Sequence, residues 1–522
     1  MKTEVLLGID IGSTSIRCCV FDTDKKLLKE ASRPTAQIEN IHVNQGDSKR
    51  SWDVSLLWQL VTEVILETTS FVTHHNLFPL GIATSSVGCS PVIMDKQGNT
   101  LFQIIRHQSS KSYLLQKYKD QFGEYEFQRI TGYPLAPTST GFLLAQIKES
   151  APEIYSKIDS IFPVSNYIAY KLTGEKTADR SIAGSFGLWD HQTNSWWTEF
   201  LSDLGLVPSN FGTIVDGGAY VGKITPKISE ITGLRVDLPV YSGGHDYLCA
   251  ALAADCFRPG QIFNIEGTFE IVATFHKSPI IKSSKDSTRS IMDIHVLPQV
   301  YSFMVERIGA GQIEWLKNLL FPSLENQEKQ NNDWDSIFTE INEIIEDQLS
   351  MEVFIPYIFG MLFPEFNDGI RGGILGINQS STRSSIMRSA IFSSCFESKR
   401  MIDYQRDFNS EKVNQITTVG GATRSKYWMQ HKANVLGMKI VVPKIKEPSA
   451  LGAALFAGIG SGVIEDLDNI GKLTHSEGVS IYEPEIPKSN LYIDYYQRVY
   501  LPVLEQVSVI EKIIGNTANG RK

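Results

Sequence analysis

Cysteine is scarce in this chain. The 522 residues include six cysteines, none of them spaced as Cys-x-x-Cys, at positions Cys18, Cys19, Cys89, Cys249, Cys256 and Cys395. Their apolar neighbours favour buried free thiols over disulfides or a zinc site, and with them a reducing cytoplasm. Basic runs are also absent, and 49 Lys and Arg against 58 Asp and Glu leave a formal charge of -9. A chain without a clustered basic footprint is not expected to bind nucleic acid.

Long apolar runs are missing too. The N-terminus reaches Asp10 before the apolar core of a signal peptide could form, and no run elsewhere approaches the length that spans a bilayer. The apolar stretch at residues 450–464 is short and rich in Gly and Ala, which predicts a buried helix. No membrane partner is therefore expected. The chain also lacks Gly-x-x-x-x-Gly-Lys-Ser/Thr, His-Glu-x-x-His and Gly-x-Ser-x-Gly, so P-loop, zincin and hydrolase-elbow chemistry have no signature here.

The length and the periodicity of the sequence predict two large α/β domains. A chain of 522 residues is well beyond the size at which one hydrophobic core stops growing. Residues 5–22 have the pattern of two strands joined by a Gly-Ser-Thr turn, and residues 261–275 repeat it, which indicates a duplicated domain. We expect domains at residues 1–247 and 248–465, a C-terminal extension at 466–522, and an active site in the cleft between the domains.

The first candidate site is the turn of the N-terminal repeat, within residues 8–14. Gly12 lets the backbone approach an anion closely, and the amides and hydroxyls of Ser13 and Thr14 supply hydrogen-bond donors. Asp10, at the end of the first strand, could hold Mg²⁺ directly or through water. An ordinary hairpin turn explains this segment equally well on its own.

Two glycine-containing motifs of the second half repeat this theme. Gly267-Thr268 occupies the turn of the second repeat, where it would grip a phosphate. Residues 309–315 follow, with Gly311 at the start of a predicted helix whose N-terminus could face a phosphate or admit a nucleotide. Glycine for tight packing explains this second motif equally well.

A strand, a glycine pair and a helix follow one another at residues 417–428. Gly420 and Gly421 leave a slot in which a flat purine can lie against bare backbone, beside Ala422. Ser425 has the position and the chemistry of a helix cap. The order of these features makes this motif more specific than the other three.

The candidate general base is Asp246, in the sequence Gly243-Gly244-His245-Asp246. A predicted strand leads into the glycines and a predicted helix follows them. An aspartate in a cleft lined by backbone N–H groups suits phosphoryl transfer, because it can accept the proton of an incoming hydroxyl. We interpret the adjoining His245 as a hydrogen-bond donor that lines the cleft without transferring a proton.

Together these motifs resemble the FGGY family of carbohydrate kinases, which belong to the actin, Hsp70 and sugar-kinase superfold. The resemblance runs from about residue 5 to about residue 465. It rests on motifs in family order, namely Asp10-Ile11-Gly12-Ser13-Thr14, Gly243 to Asp246, Gly267-Thr268, the glycine-rich start of the helix at Trp315, Gly420 to Gln430, and Glu447 with Ala450-Leu451-Gly452-Ala453-Ala454.

The resemblance implies two ribonuclease-H-like domains that phosphorylate a sugar or polyol hydroxyl with ATP and Mg²⁺. It implies that Asp246 is the general base and that Asp10 helps to hold Mg²⁺. The other positions carried over are Gly12, Ser13, Thr14, Gly267 and Thr268 for phosphates, Gly311 near the nucleotide, and Gly420, Gly421, Ala422 and Ser425 for adenosine. The expected partner is a small-molecule sugar, and a homodimer is left open.

The departures from the family pattern cluster on the sugar side. Arg106-His107-Gln108-Ser109-Ser110 replaces a Trp-x-Asp-x-Arg element, so Gln108 stands where a carboxylate is expected. We expect the sugar to lie among Trp52, Ser86, Gln108 and His245. Gly267-Thr268-Phe269-Glu270-Ile271 is most similar to the L-fuculose kinase branch, which makes a deoxyketose the first expectation.

Other functions stay open. Another pentulose, a less usual ketose or an alditol could be the substrate, and a sugar-sensing pseudokinase or an ATP-dependent chaperone-like protein would share the superfold. Sugar-stimulated ADP release distinguishes an enzyme from both. A dinucleotide-dependent dehydrogenase is disfavoured, because no strand-linked Gly-x-Gly-x-x-Gly is found.

Overall fold

The computed structural model describes most of the chain, and the described residues of the first half form fifteen strands, six of them in one main sheet. The described residues are 3–44, 47–108, 112–136, 139–284, 286, 288–321, 349, 351–367, 369–409, 413–465, 467, 470, 478–507 and 509. The strands up to residue 245 are β1 (Glu4–Ile11), β2 (Ser15–Asp22), β3 (Leu27–Pro34), β4 (Glu39–Asn44), β5 (Asp47–Trp52), β6 (Phe78–Ser86), β7 (Pro91–Met94), β8 (Ile104–Gln108), β9 (Ser160–Pro163), β10 (Thr177–Asp179), β11 (Trp189–Asp190), β12 (Ser195–Trp196), β13 (Thr213–Val215), β14 (Tyr220–Lys223) and β15 (Pro239–His245).

Helices alternate with these strands. Up to residue 253 they are α1 (Val54–His74), α2 (Ser112–Phe122), α3 (Glu124–Thr131), α4 (Thr140–Ser150), α5 (Pro152–Tyr155), α6 (Val164–Thr173), α7 (Arg180–Gly184), α8 (Thr198–Leu204), α9 (Pro226–Thr232) and α10 (Asp246–Ala253). The strands beyond are β16 (Ile262–Glu266), β17 (Phe269–His276), β18 (Ile291–Ile294), β19 (Tyr301–Ile308), β20 (Val353–Ile355), β21 (Gly373–Leu375), β22 (Gln415–Val419), β23 (Lys439–Pro443) and β24 (Val479–Tyr482). The helices beyond are α11 (Ala310–Leu320), α12 (Arg383–Arg406), α13 (Lys426–Leu436), α14 (Pro448–Gly460) and α15 (Ile486–Tyr495).

The first sheet has the strand order β14-β15-β6-β1-β2-β3. Strands β1, β6 and β15 run parallel, and their neighbours β2 and β14 are antiparallel to them. Strand β1 is buried on both faces, as its nearly continuous apolar sequence requires. Leu7 packs with Leu57 and Val61 of helix α1, whose N-terminus is capped by the Asp53 carboxylate.

The second sheet repeats this topology. Its order is β18-β19-β17-β16-β22-β23-β24, so that β19-β17-β16-β22-β23 corresponds to β3-β2-β1-β6-β15. In both sheets a hairpin with a glycine-containing turn is followed by two parallel strands. The two predicted hairpins and the mixed α/β class are confirmed, and the matching strand orders identify the two halves as ribonuclease-H-like lobes.

A shared core joins the two lobes. Helices α10 and α14 pack against each other, and α14 also packs on β1, β6 and β15 of the first sheet. The same apolar cluster includes Leu6 from the first sheet and Phe263 from the second. Close approach depends on glycine, because a Cβ on Gly8 would lie 2.0 Å from the carbonyl oxygen of Ala450. The predicted buried helix at residues 450–464 is confirmed as α14, although it belongs to the interface between the lobes.

The prediction of free thiols is confirmed as well. All six cysteines are free, and Cys89 is the least buried of them. None of the helices in the described part of the chain combines the length and the hydropathy that a bilayer-crossing segment needs.

Buried neutral histidine gives the fold a measurable pH dependence. His191 is 4% exposed, and its Nε2 donates to the carbonyl oxygen of Thr131 at 2.8 Å. Burial lowers the pKa of His191 to about 4, against the opposing effects of this hydrogen bond and of Asp190. Near pH 6.5 His191 therefore binds a proton in the unfolded chain but stays neutral in the folded protein. As the pH falls below that value, the burial of His191 lowers the free energy of unfolding.

We expect His191→Gln to flatten the dependence of stability on pH. Glutamine can still donate to the Thr131 carbonyl but does not titrate. Between about pH 7.5 and about pH 4.5 the wild-type protein should lose about 2.5 kcal/mol of unfolding free energy more than the variant, since each pKa unit corresponds to about 1.4 kcal/mol. Urea titrations of both proteins at the two pH values measure this difference, and parallel losses would contradict it.

Candidate active site

Three parallel strand ends place the acidic side chains of the first lobe at one edge of the sheet. The register pairs Asp10 of β1 with Ser85 of β6, and Ser85 with Gly244 of β15. Asp246 follows two residues after Gly244 and is the first residue of α10. Ligands of open α/β sheets bind outside the carboxyl ends of the strands. This edge is therefore where the fold presents Asp10 and Asp246 together.

Asp246 is a partly exposed carboxylate at the start of α10. Its side chain is 26% exposed, and its Oδ1 accepts a hydrogen bond from the backbone N–H of Tyr247 at 2.7 Å. The N-terminus of α10 favours negative charge at this position. His245 Nε2 lies 3.8 Å from Asp246 Oδ1, so the imidazole lies beside the carboxylate. The arrangement allows Asp246 to accept a proton from a bound hydroxyl.

The path of the chain into Asp246 depends on glycine. Gly244 has a φ of +149°, and a Cβ there would lie 2.3 Å from Val296 Cγ1 in the second lobe. A Cβ on Gly243 would lie 2.3 Å from the carbonyl oxygen of Thr84. The glycine pair therefore lets β15 run between β6 and the second lobe, and it fixes the direction in which α10 begins.

Asp10 lies deeper than Asp246. It is 4% exposed, its Oδ1 accepts a hydrogen bond from Ser85 Oγ at 2.9 Å, and its Oδ2 lies 4.0 Å from Arg17 Nη1. Burial raises the pKa of Asp10 to about 6, although Ser85 and Arg17 oppose the shift. A bound cation would offset this cost of burying charge.

The residues present fit a magnesium ion. Mg²⁺ is usually held by one or two carboxylates and completes its shell with water and substrate phosphates. Asp10 supplies such a carboxylate beside the glycine-containing turn. Among the described residues no group of three or more His, Cys, Asp or Glu side chains could hold a metal by itself, so an ion at Asp10 would take its other ligands from nucleotide and water.

The first turn is exposed at its tip. Gly12 N–H donates to the carbonyl oxygen of Ser15 at 2.9 Å, which closes the turn between β1 and β2. Ser13 and Thr14 are exposed, and their carbonyl oxygens are tied to Thr35 by hydrogen bonds of 2.7 and 3.1 Å. A turn anchored in this way leaves Ser13 and Thr14 exposed, where an anion could reach them.

The glycine motifs of the second lobe meet one another. Gly309 N–H and Gly311 N–H donate to the carbonyl oxygen of Thr268 at 2.9 and 3.3 Å. Ala310 N–H donates to the carbonyl oxygen of Gly267 at 2.8 Å. The predicted helix α11 therefore begins directly on the Gly-Thr turn, and its N-terminus lies beside it.

The glycine pair after β22 joins the same edge of the second sheet. Strands β16 and β22 are parallel, and a Cβ on Gly420, whose φ is +110°, would lie 2.5 Å from the carbonyl oxygen of Glu266. The nearest atom to a Cβ on Gly421 is the Arg424 guanidinium at 3.7 Å, so this side of the backbone is open. Ala422 is partly buried beside it. Ser425 Oγ accepts the Trp428 N–H at 3.1 Å, which confirms the predicted helix cap.

The residues predicted for the sugar have different settings. Ser86 is fully buried, and its hydroxyl donates to the carbonyl oxygen of Val87 and accepts the N–H of Ser165. Trp52 is 2% exposed and packs in the core beneath the first sheet. Gln108 ends strand β8, and its side chain lies outside the described part of the structure. Of the four residues, His245 is the one with a described contact distance to Asp246.

Two family models match nearly the whole chain. The N-terminal domain of the FGGY family of carbohydrate kinases matches residues 5–253, and the C-terminal domain of that family matches residues 267–461. The chain belongs to the FGGY family of carbohydrate kinases. It is accordingly an ATP-dependent sugar phosphotransferase, and the predicted family resemblance is confirmed.

The relatives of this FGGY kinase are named for different sugars. A xylulose kinase of Staphylococcus epidermidis is 25% identical over 510 residues, which cover 97% of each chain. An L-fuculokinase of Escherichia coli (strain K12) is 24% identical over 465 residues, which cover 88% of this chain and 93% of that protein. The solved structure of ligand-bound xylulose kinase from Lactobacillus acidophilus superimposes with a TM-score of 0.83 at 19% identity, covering 97% of this chain and 98% of that chain. This last likeness supports the fold.

The kinase also holds a charged cluster that sequence reasoning missed. Lys432 is fully buried, and its Nζ donates to Asn264 Oδ1 and Glu270 Oε1, both at 2.7 Å, and to Glu266. Arg307 Nε donates to Glu270 Oε2 at 2.6 Å. Burial alone would raise the pKa of Glu270, but Arg307 and Lys432 hold it well below its usual range. This cluster lies directly under the Gly267-Thr268 turn.

The two glutamates of the cluster can be recognised in the sequence. Two glutamates flank the Gly-Thr turn, and a tight hairpin pairs the residues on either side of it, as the observed register of Glu266 with Glu270 shows. Like charges placed opposite each other on buried strands demand cations. The identity of the cations could not be read from the sequence, because Lys432 and Arg307 lie on distant elements.

Proposed function

We propose that this kinase transfers the γ-phosphate of ATP to a hydroxyl of a ketose or deoxyketose, with Asp246 as the general base. The observation that carries the proposal is the position of Asp246. It lies at the N-terminus of α10, partly exposed, on the same sheet edge as Asp10 and one residue after His245. A carboxylate so placed can take the proton of the attacking hydroxyl as the bond to phosphorus forms.

The remaining roles follow the edges of the two sheets. The Gly12, Ser13 and Thr14 turn and the Gly267-Thr268 turn would donate hydrogen bonds to phosphate oxygens, with Gly311 beside the second turn. Gly420, Gly421 and Ala422 would line the adenosine, and Ser425 would fix the helix that follows them. A magnesium ion bound through Asp10 would neutralise charge on the phosphates.

The sugar would lie on the first lobe, beside His245. The set proposed for it is Trp52, Ser86, Gln108 and His245, in which the buried Trp52 and Ser86 would shape the wall and His245 would donate to a sugar hydroxyl. Closure of residues 1–247 against residues 248–465 would exclude water and limit hydrolysis of ATP.

An L-fuculose-like deoxyketose is the first proposed substrate. The relative named L-fuculokinase and the Gly-Thr-Phe-Glu-Ile sequence after β16 support it. A pentulose is the second candidate, favoured by the relative named xylulose kinase, whose identity is equally high. A catalytically weak, sugar-sensing protein of the same fold would bind these sugars without turning over ATP.

A coupled ADP assay across a sugar panel tests the proposal. The panel consists of the deoxyketose L-fuculose, its aldose isomer L-fucose as a control, D-xylulose, D-ribulose, glycerol and xylitol, each with Mg·ATP. We expect sugar-dependent ADP release to be strongest with a deoxyketose or a pentulose, and the sugar phosphate to form in step with ADP. ADP release that no panel member stimulates, in a protein that binds both ATP and a sugar, would identify a sensor and overturn the kinase activity proposed here.

A further inference from the structure

A carboxylate of the second lobe lies close to the residues that flank Asp246 in the sequence. Asp293, in β18, is fully buried. The Tyr247 hydroxyl donates to its Oδ2 at 2.8 Å, and the Tyr133 hydroxyl donates to its Oδ1. Both tyrosines belong to the first lobe and are themselves buried. The Asp293 carboxylate therefore receives two hydrogen bonds across the interface between the lobes.

These contacts reach both neighbours of Asp246. The Tyr247 ring meets the His245 ring edge to face, with centroids 4.7 Å apart. His245 Nδ1 lies 4.0 Å from Asp293 Oδ2, while its Nε2 lies 3.8 Å from Asp246 Oδ1. Asp293 thus accepts a hydrogen bond from the residue after Asp246 and lies near the imidazole of the residue before it.

The backbones of the two lobes are in direct contact beside Asp293. Met292 N–H, next to Asp293, donates to the carbonyl oxygen of Gly132 at 2.9 Å. A Cβ on Gly132 would lie 2.2 Å from the Met292 carbonyl oxygen. Because the backbones touch without intervening side chains, a shift of one lobe would move Asp293 relative to Tyr133 and Tyr247.

We propose that Asp293 is a positioning residue that holds Asp246 in its reactive orientation when the two lobes are seated together. The inference rests on the proposed function, in which Asp246 is the base. Burial raises the pKa of Asp293 to about 7, although the two tyrosine hydrogen bonds oppose the shift. Both oxygens of the buried Asp293 carboxylate accept hydrogen bonds from hydroxyls of the other lobe. The orientation of Asp246 therefore depends on how the two lobes pack against each other.

The test uses Tyr247→Phe and Asp293→Asn in the full-length protein, with ATP and the panel ketose of highest turnover. We expect kcat to fall by about tenfold to a hundredfold, the effect of a misplacement of about 1 Å at a reacting group, with KM for ATP unchanged. The yield of sugar phosphate per ADP should also fall, because water can react when the base no longer directs the sugar hydroxyl. A merely structural role would lower the melting temperature without changing this yield.

The matched control is Tyr118→Phe. Tyr118 is 2% exposed and donates to the partly exposed Asp203 carboxylate at 2.9 Å, so the variant loses a tyrosine–aspartate hydrogen bond away from the site. It should keep the wild-type kcat and yield. The double variant Tyr247→Phe with Asp293→Asn should be no slower than the slower single variant, since both act through one network.

The outcomes separate this inference from the function on which it rests. If Tyr247→Phe and Asp293→Asn both keep kcat and yield within twofold of wild type, while Asp246→Asn is inactive, Asp293 has no positioning role. If Asp246→Asn is as active as wild type, Asp246 is not the general base, and Asp293 cannot act by positioning it. Should Asp293→Asn fail to fold, Tyr247→Phe and Tyr133→Phe decide the matter by the same two readouts.

Discussion

Asp246→Asn is expected to remove nearly all sugar-dependent turnover while ATP still binds. Asparagine keeps the size of the side chain and can still accept the Tyr247 N–H, so the start of α10 should be preserved. It cannot accept a proton from the sugar hydroxyl, and loss of a positioned base typically lowers a rate by about a hundredfold to ten-thousandfold. Initial rates from the coupled ADP assay and ATP binding by calorimetry measure the two halves of this expectation.

Asp494→Asn is the matched control for this variant. The Asp494 side chain is 54% exposed and forms an ion pair with Arg498 one helical turn away. Its loss should leave kcat unchanged, because exposed pairs of this kind contribute about 0.3 to 0.5 kcal/mol to stability and nothing to the site. An Asp246→Asn enzyme within threefold of wild type would exclude Asp246 as the base.

Lys432→Met is expected to cost the fold far more than the loss of one ion pair on the surface. The substitution leaves Glu266 and Glu270 in a fully buried place with Arg307 as the remaining cation of the cluster. Removing one partner of a buried ion pair typically costs about 3 to 5 kcal/mol, and here two buried carboxylates would be left to share one cation. Urea unfolding of the variant and of the wild-type protein measures this cost.

Lys119→Met provides the comparison. Lys119 Nζ lies 2.6 Å from Glu124 Oε1, in a pair whose side chains are 34% and 62% exposed. The same substitution there should cost about 0 to 1 kcal/mol. Equal shifts of the urea midpoint in the two variants would mean that the buried cluster contributes no more than a surface pair. A large loss confined to Lys432→Met would show that the buried cluster stabilises the fold.

Local patterns were enough to predict the elements that carry the candidate site. The two hairpins, the strand into His245, the helix that starts at Asp246 and the Ser425 cap each depend on residues close in sequence, and all are confirmed. Glycine turns, alternating apolar residues and capping hydroxyls act over one or two turns of chain, which is why the sequence alone reveals them.

Pairings between distant segments could not be predicted in the same way. Lys432 and Asn264 are 168 positions apart, and Tyr133 and Asp293 are 160 positions apart. Nothing near Lys432 in the sequence distinguishes it from a solvated lysine on a helix. Gly8 is a further example, since it belongs to the predicted turn segment but serves to admit α14 against the first sheet.

The position of α14 limits how the two similar halves of this chain can be separated. The helix comes late in the sequence but covers the face of the first sheet that carries Leu6 and Ala83. A fragment that stopped at the end of α10 would expose that face to water and would be prone to aggregate. The two halves share a strand order, yet we expect that the first does not fold by itself, so a working transplant of the first lobe would have to bring α14 with it.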